Sequence, residues 1–459
     1  MPSLPDDPSF DHLRHQARAL HRALVAGDAD AVARVRRHYG TAERFPLAVA
    51  QLVVAREYGF ANWARLKEHV AVIDRYRWPR RNGLPVTDSP SDEFCRLACL
   101  NYTSDDPANR DRAVLPAAPH IWAAAAAGDN ARVAELLAAD PSLARREGGP
   151  YLWEALAYVA YSRVGLGVPL LTARLLLDYG ADPNTGYLWG GLTTPFTLLT
   201  GAFGEGEQGP VRQPRHPQSL ALAEMLLQAG ADPNDGQTLY NRMFGTDDSH
   251  LRLLFRYGLG RGDGGPWRAR LSLPSPAELL ATQLRWAVSH DQRDRVRLLV
   301  SEGVEFRIGF VELALVNGNT EVAAYLESAG AAAPALDPVS AFVAAVLSGG
   351  DVDPAVVPAA RAARPGLVVW AAANKRLDAV RLLVSLGFDV NALGRGDTPI
   401  EQPWETALHQ AAANGDLAMA ELLLSLGADP SIRDTRFDAT PLGWAEHLGQ
   451  TELIALLTP

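Results

Sequence analysis

The sequence predicts an all-α solenoid of stacked helix-turn-helix units with short hairpin or loop fingers between them. Three observations carry this. A phrase repeats: Tyr179-Gly180-Ala181-Asp182-Pro183-Asn184 returns as Ala229-Gly230-Ala231-Asp232-Pro233-Asn234, 50 positions from Asp182 to Asp232. Short blocks place apolar residues at three- and four-residue steps, so each helix has one buried stripe and no unit can cover its stripe alone. In most blocks a glycine follows the last apolar residue by a few places, as a left-handed C-cap needs.

Taken in order, residues 1–76 read as helical units of this kind. Phe10 to Tyr39 is helix, Gly27-centred turn and helix; a second pair runs from Leu47 through Tyr58-Gly59-Phe60 to Trp63, Leu66 and Val70. Residues 77–115 read as a Pro-, Arg- and Gly-rich linker to about Asp92, then a helix over Phe94 to Tyr102, broken by Asp105-Asp106-Pro107. Residues 116–348 are an irregular array. It opens on Ile121 to Asp129, recurs at Ala173–Leu177, Ala223–Leu227, Val296–Val300 and Val322–Leu326, and carries an insertion at 201–217. Residues 349–459 hold the C-terminal repeats and cap.

Composition bounds the function. With 459 residues, 47% hydrophobic and 21% charged, the chain is in the globular range. The net charge of −10 argues against nucleic acid, because the short runs Arg75 to Arg81 and Arg252 to Arg261 would work against the whole field. No apolar run approaches the ~18 residues of a membrane span. The acidic start Met1 to Pro8 lacks the basic and apolar regions of an export signal, so a cytoplasmic location is expected. The two cysteines, Cys95 and Cys99, share one helical face without further ligands nearby and read as buried free thiols. No metal or cofactor is expected.

The clearest unit is Glu405-Thr406-Ala407-Leu408-His409 through Asn414-Gly415-Asp416 to Gly427-Ala428-Asp429-Pro430, and Thr440-Pro441-Leu442-Gly443-Trp444-Ala445 opens another 34 positions after Thr406. It resembles the ankyrin repeat, whose Thr-Pro-Leu-His-x-Ala signature recurs at about 33 residues. The likeness covers most of Phe10 to Pro459 and is weakest at Gly258–Leu280 and Gly349–Pro365. The segment from Leu47 to Trp63 also looks like one that often precedes ankyrin arrays in bacterial proteins. The resemblance implies binding and leaves catalysis open. His409, at the signature position, is expected to tie neighbouring units together, and His21 is read the same way.

Function should show as departure from the repeat. Tyr187 and Trp189 stand where a finger should be, Tyr240, Asn241 and Arg242 begin the helix after the next finger, and with Tyr151, Trp153, Tyr158 and Tyr161 they compose an aromatic wall with polar handles. The stretch Gly201 to Pro217 falls between two helices, where about four residues would do; it is a surface loop or a lid. Its Glu205 and Glu207 disfavour a phosphate site. Asp247-Asp248-Ser249-His250 replaces an ordinary turn, with helix capping as the plain reading.

Two readings follow. The first is a binding scaffold that takes a protein or peptide partner near 151–250, on Tyr151, Trp153, Tyr187, Trp189, Tyr240, Asn241 and Arg242. The second is an enzyme or small-molecule receptor with a pocket formed by 201–217 and the fingers 187–191 and 235–250, using Glu205, Glu207, His216, Asp247, Asp248 and His250 for proton transfer. Convergence of Trp189, His216, Asn241 and Asp247 in one pocket separates them.

Overall fold

A computed structural model describes residues 4–5, 8–40, 44–80, 89–103, 106–306, 308–395 and 403–458. Residues 81–88 of the expected linker, and Asp105, lie outside the described residues. The chain forms two compact units, Met1–Gln283 and Leu284–Pro459. Among the described residues no helix is long and apolar enough to cross a membrane.

The fold is the expected all-α repeat architecture. In the first unit, helices Ile121–Ala127, Ala155–Tyr161, Leu198–Phe203 and Gly236–Met243 stack in one row, each against the next. Their partners Asn130–Ala139, Pro169–Asp178, Ser219–Gln228 and Ser249–Arg256 stack in a second row. The alanines of Ile121–Ala127 are buried throughout, which lets backbones approach closely. In the second unit, Leu367–Ala373, Ala407–Asn414 and Pro441–Leu448 make the corresponding row.

The repeated Asp-Pro-Asn phrase has a physical job. Asp182 Oδ1 accepts the N–H of Asn184 at 2.9 Å, fixing the turn, and the Asn184 amide then spans to the next unit, donating to Gly230 O at 2.9 Å and accepting from Asp232 N at 2.9 Å. Asn234 does the same with Arg261 O and Gly260 N, and Asn391 with Gly427 O and Asp429 N. His409 ties units as expected: Nδ1 faces Thr406 N at 3.2 Å, and Nε2 lies 3.0 Å from Ala439 O, one repeat on.

The expected finger is a β-hairpin, Gly186–Trp189 antiparallel to Pro195–Thr197 with Tyr187 opposite Phe196. Three local differences from the sequence reading matter. Arg77–Trp78, expected to be linker, adds a parallel third strand beside the hairpin, pairing Trp78 with Trp189. Gly201–Phe203 complete the helix Leu198–Phe203, so the insertion begins at Gly204. The linker helix is Pro90–Ala98 and stops before Tyr102; Cys95 within it and Cys99 at its C-cap are free and buried, as expected.

Candidate functional site

The hairpin, the insertion and helix Gly236–Met243 surround a cavity of about 550 Å³ in the first unit. Trp189 and Tyr240 line it, Tyr240 remaining 39% exposed. Asn241 lines it from a buried position: Nδ2 donates to the Tyr102 hydroxyl at 3.1 Å and Oδ1 accepts from Gln237 at 2.8 Å, which locks its amide. Glu207, on the insertion, accepts the Tyr240 hydroxyl proton in a hydrogen bond across the rim. Tyr102 and Phe196, which the sequence reading passed over, form another part of the wall, their rings 5.0 Å apart edge to face.

Tyr151, Trp153 and Tyr187 are not part of an open wall. They are 4%, 5% and 3% exposed and form an internal stack. Trp153 lies face to face with Tyr187 at 4.8 Å, and Tyr187 with Phe196 at 5.3 Å, so the stack supports the cavity from behind. The buried hydroxyls find partners: Tyr158 donates to Gly148 O at 2.8 Å and accepts Tyr151 N–H at 3.0 Å, and Tyr161 donates to Thr197 O at 2.7 Å.

The proposed acid–base groups do not converge. Glu205 and Asp247 sit in an ionic lattice with two arginines. Arg215 Nε meets Glu205 at 2.5 Å and its Nη1 meets Asp247 at 2.6 Å; Arg242, 1% exposed, contacts the same Glu205 and lies 3.1 Å from Asp247. Arg242 therefore points away from the cavity and clamps the insertion. Asp248 occupies the N-cap position without a side-chain cap bond, while Asp247 accepts Ser249 N–H at 3.0 Å and its hydroxyl at 2.9 Å. His250 is fully buried, its Nδ1 3.2 Å from Asp247 O.

His216 is enclosed as well, 2% exposed, and its Nδ1 accepts Gln218 N–H at 3.0 Å. Burial, with the nearby Arg163 charge, pushes its pKa down to about 3. The unfolded chain binds this proton near the ordinary value of about 6.5, so stability is complete above that pH and declines as pH falls toward 3. Between neutral pH and about pH 5 the loss from this group is expected to reach about 2 kcal/mol. Urea midpoints of wild type and His216→Asn, which keeps a short acceptor there, check it: the variant should lose most of the decline.

Other residues invisible to the sequence reading organise the site. Asp235, fully buried on the floor, accepts the Thr197 hydroxyl, the Thr200 hydroxyl at 3.1 Å and Thr238 N–H at 2.9 Å; burial still pushes its carboxyl up. Arg163 holds the insertion from below, donating to Pro214 O and Gly201 O, each at 2.6 Å. Gly204 adopts φ 58°, and a Cβ there would lie 2.4 Å from Pro214 O, so the chain can enter the insertion only through glycine.

Two-helix units bridged by asparagine, with one cavity built from a modified finger and an inserted loop, define a helical-repeat scaffold. Residues 368–424 match the family model for ankyrin repeats (many copies), and the chain is an ankyrin-repeat protein. It is 46% identical over 68 residues to human palmitoyltransferase ZDHHC13, which is 15% of this chain and 10% of that protein. It is also 43% identical over 68 residues to rat palmitoyltransferase ZDHHC17, again 15% and 10%. With the ankyrin repeat protein L271 of Acanthamoeba polyphaga mimivirus it shares 37% over 86 residues, 18% and 10%. The chain thus spans about a tenth of the length of these curated relatives. Ankyrin repeats typically mediate protein–protein interaction.

Proposed function

We propose that the chain binds a segment of a partner protein in the cavity between the hairpin Gly186–Thr197, the insertion 204–217 and helix Gly236–Met243. The observation that carries this is the cavity itself: about 550 Å³, within the size range of ligand sites, lined by aromatic rings and by side-chain amides. Trp189 and Tyr240 have the amphipathic character of anchor residues, with an apolar ring and a polar handle. Four of the six groups weighed for proton transfer are engaged elsewhere, which favours binding over catalysis: Glu205 and Asp247 pair with arginine, and His216 and His250 are enclosed. The reading includes a reducing cytoplasmic setting, in keeping with two free buried thiols.

Selection of a displayed random-peptide library against the full chain tests this. Enriched peptides should bind the Trp189→Ala/Tyr240→Ala variant at least about tenfold more weakly by calorimetry, the loss typical of anchor residues. Peptides that bind both proteins equally, or a failure to enrich any, would overturn the reading.

A further inference from the structure

We infer that the cavity is built for a basic side chain, an arginine or lysine of the partner segment. This rests on the reading that the cavity receives such a segment, and it names the chemistry received.

The first observation is charge. Glu207, Asp232 and Asp235 line the cavity against a single guanidinium, Arg268. That guanidinium is already turned to main-chain oxygens, Leu273 O at 3.3 Å and Asp263 O at 3.1 Å. An anionic occupant would meet three carboxylates and a committed arginine. A cationic one meets the local field, and a chain of net charge −10 adds to its approach.

The second observation is an acceptor awaiting a donor. Gln283 is 2% exposed and lines the cavity. Its Nε2 donates to Leu239 O at 3.2 Å, which sets the amide orientation, because the flipped amide would oppose two oxygens. Oε1 is buried without a hydrogen-bond partner. A buried acceptor left in that state is destabilising, and an N–H from an occupant relieves it. An aliphatic or acidic side chain supplies no such donor at neutral pH, whereas guanidinium and ammonium groups do.

The third is the wall. Trp189, Tyr102, Phe196 and Tyr240 present aromatic surface in the same cavity. Long alkyl stems pack on such rings, and the cation at their end is attracted to the ring faces. Rings, carboxylates and a buried amide oxygen together match one ligand class.

The peptides enriched in the library selection provide the probe. Each should carry an arginine or lysine at one recurrent position, and replacing that residue by norleucine should weaken binding at least about tenfold. Glu207→Gln, an exposed site that leaves the core untouched, should weaken the basic peptide about three- to tenfold and leave the norleucine peptide unchanged. Gln283→Met should act in the same selective way. Peptides that need Trp189 and Tyr240 yet show no basic position, or that tolerate norleucine within about twofold, overturn this inference and leave the binding function standing. Peptides indifferent to Trp189 and Tyr240 overturn the binding function itself.

Discussion

Replacing Arg163 by alanine is expected to lower the stability of the first unit by about 3–4 kcal/mol, read as a fall in the urea midpoint. The side chain is 7% exposed, and its guanidinium donates to four main-chain oxygens: Pro214 at 2.6 Å, Gly201 at 2.6 Å, Ser162 at 2.8 Å and Ala160 at 3.2 Å. One fork thereby joins the end of helix Ala155–Tyr161, the helix that follows it in the row, and the far end of the insertion. Burial lowers its pKa to about 10, so it remains charged at neutral pH and these are charge-assisted bonds. Alanine leaves buried carbonyls without a donor and a void where the stem lay. Lysine keeps the charge and loses the planar fork, so Arg163→Lys should recover only part of the loss, leaving about 2 kcal/mol. An alanine variant within about 0.5 kcal/mol of wild type would show that water replaces the fork.

Replacing Arg242 alone by alanine is expected to cost about 3 kcal/mol or more, because it strips the buried cation from the lattice and leaves the buried Glu205 and the more exposed Asp247 to share Arg215. Removing both ends of a pair is gentler than removing one, so Arg242→Met combined with Glu205→Gln should recover a substantial part of the loss. A double variant no better than the single would mean that the stem of Arg242 matters more than its charge. The same lattice closes the insertion, where Glu205 N donates to Gln213 O at 2.7 Å. Faster amide exchange at Glu205 in Arg242→Ala should therefore accompany the stability change. Asp247 adds a separate acid limb. Burial opposes its charge, yet the Ser249 donors and Arg215 hold its carboxyl below the usual range. Its contribution is complete above about pH 4 and is lost only in stronger acid, apart from the His216 window.

These two arginines mark the boundary of what one sequence displays. The repeat units were legible because their cause is local: apolar spacing within a helix, glycine at a C-cap, and an Asp-Pro-Asn turn whose neighbour lies one unit away. The location of the site was legible in outline too, since the finger at 187–189 and the insertion break a regular pattern, and Trp189, Tyr240, Asn241 and Glu207 do line the cavity.

The inward or outward sense of each ring and charge was not. Tyr151, Trp153 and Tyr187 carry the composition of a binding wall, yet packing against Trp78 and Phe196, distant in the chain, encloses them. Glu205, Asp247 and Arg242 look like catalytic or binding groups until Arg215 is brought between the two acids. Gln283 and Arg163 gave no signal, because a glutamine in a helix and an arginine after one are ordinary in sequence. By itself, then, the sequence determined the repeating scaffold and where it is interrupted. Only the tertiary structure decided which polar groups face the cavity, because that depends on pairings between segments far apart in the chain, whose energies no local pattern records.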